Sequence, residues 1–271
     1  MEKIMSDTLN KDSLTLNKDS QGVVTLSINR PEIHNAFDDV LIAELIEALD
    51  SVQNDLEARV LILRSEGKSF SAGADLRWMR RMADYTAEEN KADAMELAAL
   101  MKKLNTLNIP TIARVQGAAF GGGVGLVACC DIAIGSSKAL FCLSEVRLGL
   151  MPAVISPYVV TAMGERASRR YFLTAERFNA EEALRVNLLH DVVEESELDT
   201  AIEDITKNLL KGGGCALTAA KDLIFAVTSR PTTDELIEDT AERITKARAS
   251  EEGKEGLNAF LEKRSPNWIK D

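Results

Sequence analysis

The chain has 271 residues and a formal net charge of −11, with 45% hydrophobic and 28% charged residues. That length and composition suit one large core, or one core with a small appendage, and so acidic a balance argues against nucleic acid or an anionic membrane as the main partner, since either demands a basic face. No apolar run approaches the roughly 18 residues of a membrane span, and the opening MEKIMSDTLNKDS lacks the apolar centre of a signal peptide, so a cytoplasmic protein is expected.

The first feature along the chain is a duplication: TLNKDS occurs at 8–13 and again at 15–20. Its polar content and terminal position make residues 1–20 a flexible lead-in on this reading. Residues 22–29 (GVVTLSIN) and 59–67 (RVLILRSEG) read as strands, and between them Leu41, Leu45, Leu49 and Val52 recur at helical spacing over 38–56. The pattern repeats with a helix over 87–107, the strand TIARVQG (111–117), a glycine stretch and the short strand DIAIGS (131–136). Such alternation predicts an α/β fold with much of its sheet buried. After Pro157 helices dominate, one of them opened by Asn179 and Glu182 at capping-box spacing, and the tail holds two or three amphipathic helices broken at GGG (212–214). The division is therefore a core over 21–196 and a helical region over 197–271. Cys129, Cys130, Cys142 and Cys215 show no C-x-x-C spacing and predict a reduced, buried set; with only His34 and His190, no metal site is expected.

AAFGGGVGLVACCD (118–131) brings backbone close to something. A dinucleotide loop would need G-x-G-x-x-G after the first strand, a Walker loop Gly-Lys-Ser/Thr, and a nucleophile elbow G-x-S-x-G; none is present. The stretch fits a helix N-terminus whose N–H groups face developing negative charge, or else tight helix-on-sheet packing. A second loop, KSFSAGADLRWMRRM (68–82), also follows a strand, turns through Ala72, Gly73 and Ala74, and starts a helix at Asp75. Two such loops can each supply one donor to a single oxygen. Lys68, Arg77, Arg80 and Arg81 bracket the second loop, and together they suit a phosphorylated ligand.

FSAGADL and GAAFGGGVGLVACCDIAI, with INRPEIHNAF near the start, PTIARVQG before the second loop and FLEKR near the end, resemble the crotonase (enoyl-CoA hydratase/isomerase) family over roughly residues 20 to 265. The resemblance implies a spiral of β-β-α units with C-terminal helices used in trimerisation, as a homotrimer or dimer of trimers. It implies an acyl-CoA thioester substrate and no metal or redox cofactor, coenzyme A being part of the substrate. By motif match the backbone N–H groups of Ala74 and Gly122 form an oxyanion hole, the backbone at Ala72 and Leu76 meets the adenine, and Lys263 of FLEKR reaches the CoA phosphates, with Lys68 and Arg77 as further candidates for that role.

Two-glutamate hydratases of this family place one glutamate two residues after GGG and another twenty residues later. Here the first position is Gly125 and the second is Glu145, in CLSEVRLGL, where a carboxylate at the end of an apolar run suits proton transfer at the substrate Cα and competes with an ordinary ion pair to Arg147. A single glutamate resembles the Δ3,Δ2-enoyl-CoA isomerases. The longer string GLVACCDIAI…FCLSEVRLGLMPAVISPYV…GERASRRYFLTAERF resembles bacterial 3-methylglutaconyl-CoA hydratases of leucine degradation, which favours a branched-enoyl hydratase using Glu145 as acid/base. On that reading Gly125 leaves room for a branched acyl group; the alternative is that it relaxes helix packing. A non-catalytic acyl-CoA- or RNA-binding homologue is the reading from another class.

Overall fold

In the computed structural model, residues 9–11 and 13–269 are described. Two strands, β1 (Leu9–Lys11) and β2 (Leu14–Lys18), form an antiparallel hairpin that pairs Leu9 with Leu16, the equivalent leucines of the TLNKDS duplication. The second strand pairs in turn with β3 (Val23–Ile28), Leu14 opposite Ile28 and Leu16 opposite Leu26, with Leu14 and Leu16 buried. The expected flexible lead-in over 1–20 is thus corrected for the described part of that segment. Leu-x-Leu at period two buries one face of β2 while Thr15 and Asn17 stay out of the core. Residues 1–8 and 12 lie outside the described residues.

The chain continues through α1 (Asp39–Asn54), capped by Asp38, whose side chain accepts from Leu41 N, and buries Leu41, Leu45, Leu49 and Val52. Then come β4 (Val60–Ser65), β5 (Ser69–Ser71), α2 (Leu76–Met82) and α3 (Ala87–Asn105), the last opened by a complete Thr86–Glu89 capping box. After β6 (Thr111–Val115), β7 (Ala118–Phe120), α4 (Gly122–Cys129), β8 (Ile132–Ser136) and β9 (Leu140–Cys142) follow a 3₁₀ turn and α5 (Ser156–Thr174), which kinks at Gly164. A short β10 (Phe178–Asn179), α6 (Ala180–Arg185) and β11 (Asp191–Val193) complete the sheets, and α7 (Leu198–Leu210), α8 (Gly214–Val227), α9 (Asp234–Ala249) and α10 (Glu251–Glu262) close the chain. The Asn179 cap accepts from Glu182 N, but the Glu182 carboxylate turns away to Tyr171 and Arg185, so the capping box there is only half made.

Seven strands form one sheet in the order β1-β2-β3-β4-β6-β8-β11, parallel from β3 onward, and four form a second in the order β10-β9-β7-β5. The main core includes α1, α3, α4 and α5 with one face of the strands. The division at 196/197 does not follow the packing: α7 buries Leu198 and Ile202 against Val60, Ile112 and Ile134 on the large sheet. The helix α8 is tied to the same body by Lys221, whose ammonium lies 2.8 Å from Asp131, a carboxylate that also accepts from Thr111 N and Oγ1. Three cysteines are buried as expected and free, while Cys215 is exposed because α8 turns that position outward.

Candidate active site

The second sheet organises the site. Its strands β5, β7 and β9 are parallel neighbours, so their C-terminal ends open at one edge and the segments that follow them meet there; in open parallel sheets that edge is where ligands bind. After β5 comes Ala72–Ala74, after β7 comes Gly121–Gly122, and after β9 comes Leu143–Glu145.

The first segment is held on every side but one. Ala72 N donates to His34 O (2.9 Å), Phe37 N to Gly73 O (2.7 Å) and Asp75 N to Phe37 O (2.6 Å), while Gly73 N donates to Ser71 Oγ (3.3 Å). The Ala74 N–H has no acceptor among the described residues. Gly73 must be glycine, since its φ is +90° and a Cβ would stand 3.2 Å from Phe120 O, on the neighbouring strand. The second segment behaves alike: Gly121 N donates to Cys142 O (2.9 Å) and Gly121 O accepts from Val124 N and Gly125 N, but Gly122 N–H, at the first turn of α4, has no acceptor among the described residues. The Phe37 ring lies against Gly122, 3.2 Å from the place of a Cβ, so one buried residue backs the second segment with its ring and holds the first with its backbone. Two free N–H groups, one of them carrying the positive end of a helix, can stabilise an oxyanion.

Glu145 opens the 3₁₀ turn after β9. Its carboxylate lies against the second segment, with Oε1 3.2 Å from where a Cβ on Gly121 would be, and φ +50° also keeps that position glycine. Oε2 is buried with no hydrogen-bond partner among the described residues. Burial pushes the Glu145 carboxyl above the usual carboxylate range. No ion pair joins Glu145 to Arg147 among the described residues, so the ordinary reading of this carboxylate finds no support. A half-buried carboxyl of raised pKa beside two free donors can exchange a proton with an atom bound at the edge.

The sequence matches the Enoyl-CoA hydratase/isomerase family over residues 18–271. The chain belongs to this family. It resembles the solved structure of an enoyl-CoA hydratase from Shewanella pealeana, with 48% identity and a TM-score of 0.92 over 94% of this chain and 96% of that one. Among curated proteins it is 32% identical to the crotonyl-CoA hydratase of Syntrophomonas wolfei, over 95% of this chain and 98% of that protein, and 32% identical to the short-chain-enoyl-CoA hydratase of Clostridium acetobutylicum, over 92% and 95%. The architecture is the family's crotonase fold, mixed α/β with C-terminal helices.

The family motif residues fall in three groups. Ala74, Gly122 and Glu145 come together at the edge just described. Ala72 and Leu76 flank Ala74, with Leu76 71% exposed at the start of α2, and Lys68 and Arg77 stand exposed beside them with no acidic partner among the described residues. Arg81, by contrast, is bound to Asp39. Lys263 lies elsewhere, as the exposed C-cap of α10, a helix packed on α8 and α9; among the described residues no hydrogen bond ties it to the Ala72 segment. The two histidines are taken up structurally, His34 Nδ1 with Ser69 Oγ (3.1 Å) and His190 Nδ1 accepting from Ala133 N (3.1 Å).

Gly125 is corrected. It faces a filled space: a Cβ there would lie 2.3 Å from Ile155 Cγ2 and 3.2 Å from Met101 Cε, both side chains in the core. Where a two-glutamate hydratase carries its first carboxylate, this enzyme carries the Ile155 side chain, and Gly125 admits it. The role of a substrate-facing gap is therefore withdrawn. Ile155 escaped the sequence reading because it lies thirty residues from Gly125 and carries no motif signal.

Proposed function

We propose that this enzyme adds water reversibly across the 2,3 double bond of an enoyl-CoA thioester. The thioester oxygen accepts from Ala74 N–H and Gly122 N–H. Glu145 takes a proton from water as the water oxygen bonds to C3, the double-bond electrons pass to the thioester oxygen as an enolate, and the enolate recovers its double bond to oxygen as C2 takes the proton from Glu145. Every proton and electron pair is accounted for with one carboxylate. The observation that carries this reading is the buried, unpartnered Oε2 of Glu145 at the edge where both N–H groups are free. Lys68 and Arg77 beside the adenine-side segment are the candidates for the CoA phosphates in the single chain. Lys263 could contribute only if its helix approaches a site. Exposed Phe260 and Leu261 on α10 support a homotrimer or dimer of trimers. A branched acyl group such as 3-methylglutaconyl rests on the resemblance of the 125–178 stretch alone, since Gly125 no longer supports it by leaving space.

A single carboxylate, with Ile155 filling the place of the first glutamate, also suits an isomerase that moves a proton between C2 and C4. Glu145→Gln, assayed with 2-enoyl, 3-enoyl and 3-methylglutaconyl thioesters in ¹⁸O-labelled water, separates the readings. Hydration puts labelled oxygen on C3; isomerisation moves hydrogen without adding oxygen. Loss of about 10²–10⁴ in rate for Glu145→Gln is expected for a general acid–base group. A variant keeping more than about a tenth of the rate moves the role elsewhere.

A further inference from the structure

Asparagine 35, in the INRPEIHNAF stretch, is fully buried and has φ +55°, directly after His34 at φ +54°. Two consecutive non-glycine residues in the left-handed region need strong local support, and asparagine is among the side chains that tolerate it. The Asn35 amide supplies that support in three directions. Its Oδ1 accepts from Arg30 N (2.8 Å), and its Nδ2 donates to Glu66 O (2.8 Å) and Ser69 O (2.7 Å). Ser69 is the first residue of β5. Its carbonyl also accepts from Gln116 Nε2 (3.3 Å), an amide that donates as well to Ser65 O and Gly67 O.

Two buried amides therefore clamp the root of the strand that leads, three residues on, to Ala72. On the other side of the same clamp, residues 34–37 run beside 72–75: His34 O takes the Ala72 N–H, and Phe37 bridges Gly73 O and Asp75 N. Each backbone N–H of 72–75 except that of Ala74 has an acceptor, two of them on the turn whose shape Asn35 sets and one on Ser71.

We propose that Asn35 is a positioning residue for the reaction: by holding the 30–37 turn and the root of β5 in one register, its side-chain amide aims the Ala74 N–H at the thioester oxygen. This rests on the reading of Ala74 as an oxyanion donor. The requirement is for an amide in particular. A carboxylate of the same shape keeps the left-handed preference but turns two donors into acceptors facing the Glu66 and Ser69 carbonyls. Glycine keeps the backbone conformation and removes all three bonds.

The test uses full-length Asn35→Asp and Asn35→Gly in the assembled enzyme, with folding checked by circular dichroism and thermal melting. Three quantities are read: kcat and KM with the best enoyl thioester, affinity for acetoacetyl-CoA as a stable enolate against a saturated acyl-CoA, and the thioester C=O stretch of the bound ligand. Removing one oxyanion donor outright typically costs about 10²–10³ in kcat, so a misaimed one is expected to cost roughly 10-fold to 10²-fold. KM should stay within about threefold, the enolate analogue should weaken by a like factor while the saturated thioester does not, and the carbonyl shift should shrink. A folded variant with wild-type kcat and carbonyl shift overturns the proposal. So does a variant that loses stability with the preference for the enolate unchanged, since Asn35 is then structural only, and so does failure of both variants to fold. If the wild-type enzyme itself shows no carbonyl shift, it is the oxyanion reading that falls, which is a separate result.

Discussion

Gly125→Ala is a sharp test of how α4 is packed. The added methyl would stand 2.3 Å from Ile155 Cγ2, 2.9 Å from Ile155 Cβ and 3.2 Å from Met101 Cε, and neither side chain has solvent to move into. Replacing glycine in a helix interior returns about 1 kcal/mol of propensity, whereas overpacking a close-packed core costs about 1–3 kcal/mol. A contact this short places the cost at the upper end, so a net loss of about 1–2 kcal/mol is expected. Ile155→Val keeps a Cγ2 and should not relieve it. Ile155→Ala removes the Cγ2; alone it should cost about 2–5 kcal/mol, and together with Gly125→Ala the loss should fall short of the sum by about 1 kcal/mol or more, because the new methyl enters the cavity. Urea midpoints at fixed protein concentration measure the parent and each of these variants. A neutral Gly125→Ala with additive partners would show that the space is open, and would return Gly125 to the acyl site.

Because burial raises the Glu145 carboxyl, the acid limb of kcat for a reaction that starts from the carboxylate should lie above the ordinary glutamate value of 4.5, with rate falling as pH drops through it; a limb at or below that value contradicts the assignment. The same shift has a stability sign: the folded state holds this proton more tightly than the unfolded chain, so stability falls as pH rises through the folded pKa. Glu145→Gln should therefore melt higher than the parent at neutral pH, and the difference should vanish below the unfolded pKa; a lower melting temperature at both would refute it. Lys221→Ala should cost about 2 kcal/mol, less than the 3–5 of a fully buried pair, because the Asp131 side chain is 28% exposed and keeps its bonds to Thr111. Lys221→Met should recover part of that loss, and equal midpoints for parent and Lys221→Ala would show that the pair does not fasten α8. Phe260→Asp with Leu261→Asp, at side chains 81% and 75% exposed, should reduce the assembly seen by light scattering, and an unchanged mass would place the contact elsewhere.

The long elements were legible because their periods repeat. Leu41, Leu45, Leu49 and Val52 mark α1, and the branched runs mark β3 and β4, within a residue or two of their observed ends. The hairpin before them was hidden by its composition, since two buried leucines in a polar duplication give too little alternation to outweigh a terminal position. Strands β5, β7, β9 and β10 have two or three residues each, below the length at which a period exists, so the sheet that carries the site was invisible although its loops were not. Glu145 stood out because a carboxylate ending an apolar run conflicts with its surroundings. Gly125 gave the wrong sign: a missing side chain reads as space in a sequence, and only the partner thirty residues away decides whether that space is filled.

The short sheet also explains why so few groups can serve the proposed reaction. Adjacent strands lie roughly 4.8 Å apart, so the ends of β5, β7 and β9 span only about 10 Å. One small acyl group can then touch all three. The order along the edge is donor, donor, carboxylate: Ala74 and Gly122 follow neighbouring strands, and Glu145 follows the next one. Ala74 N–H, Gly122 N–H and Glu145 Oε2 are all left without a partner among the described residues. Pairing each within the fold would be worth about 0.5–1.5 kcal/mol of stability and would remove it from the chemistry. The buried Oε2 of Glu145 shares in that loss, because the desolvation that destabilises its charge also makes it hold its proton more tightly than an exposed glutamate. A substitution that gave Oε2 a hydrogen-bond donor should accordingly stabilise the fold and slow the enzyme together; a donor that raised both stability and kcat would show that Glu145 is not the proton carrier.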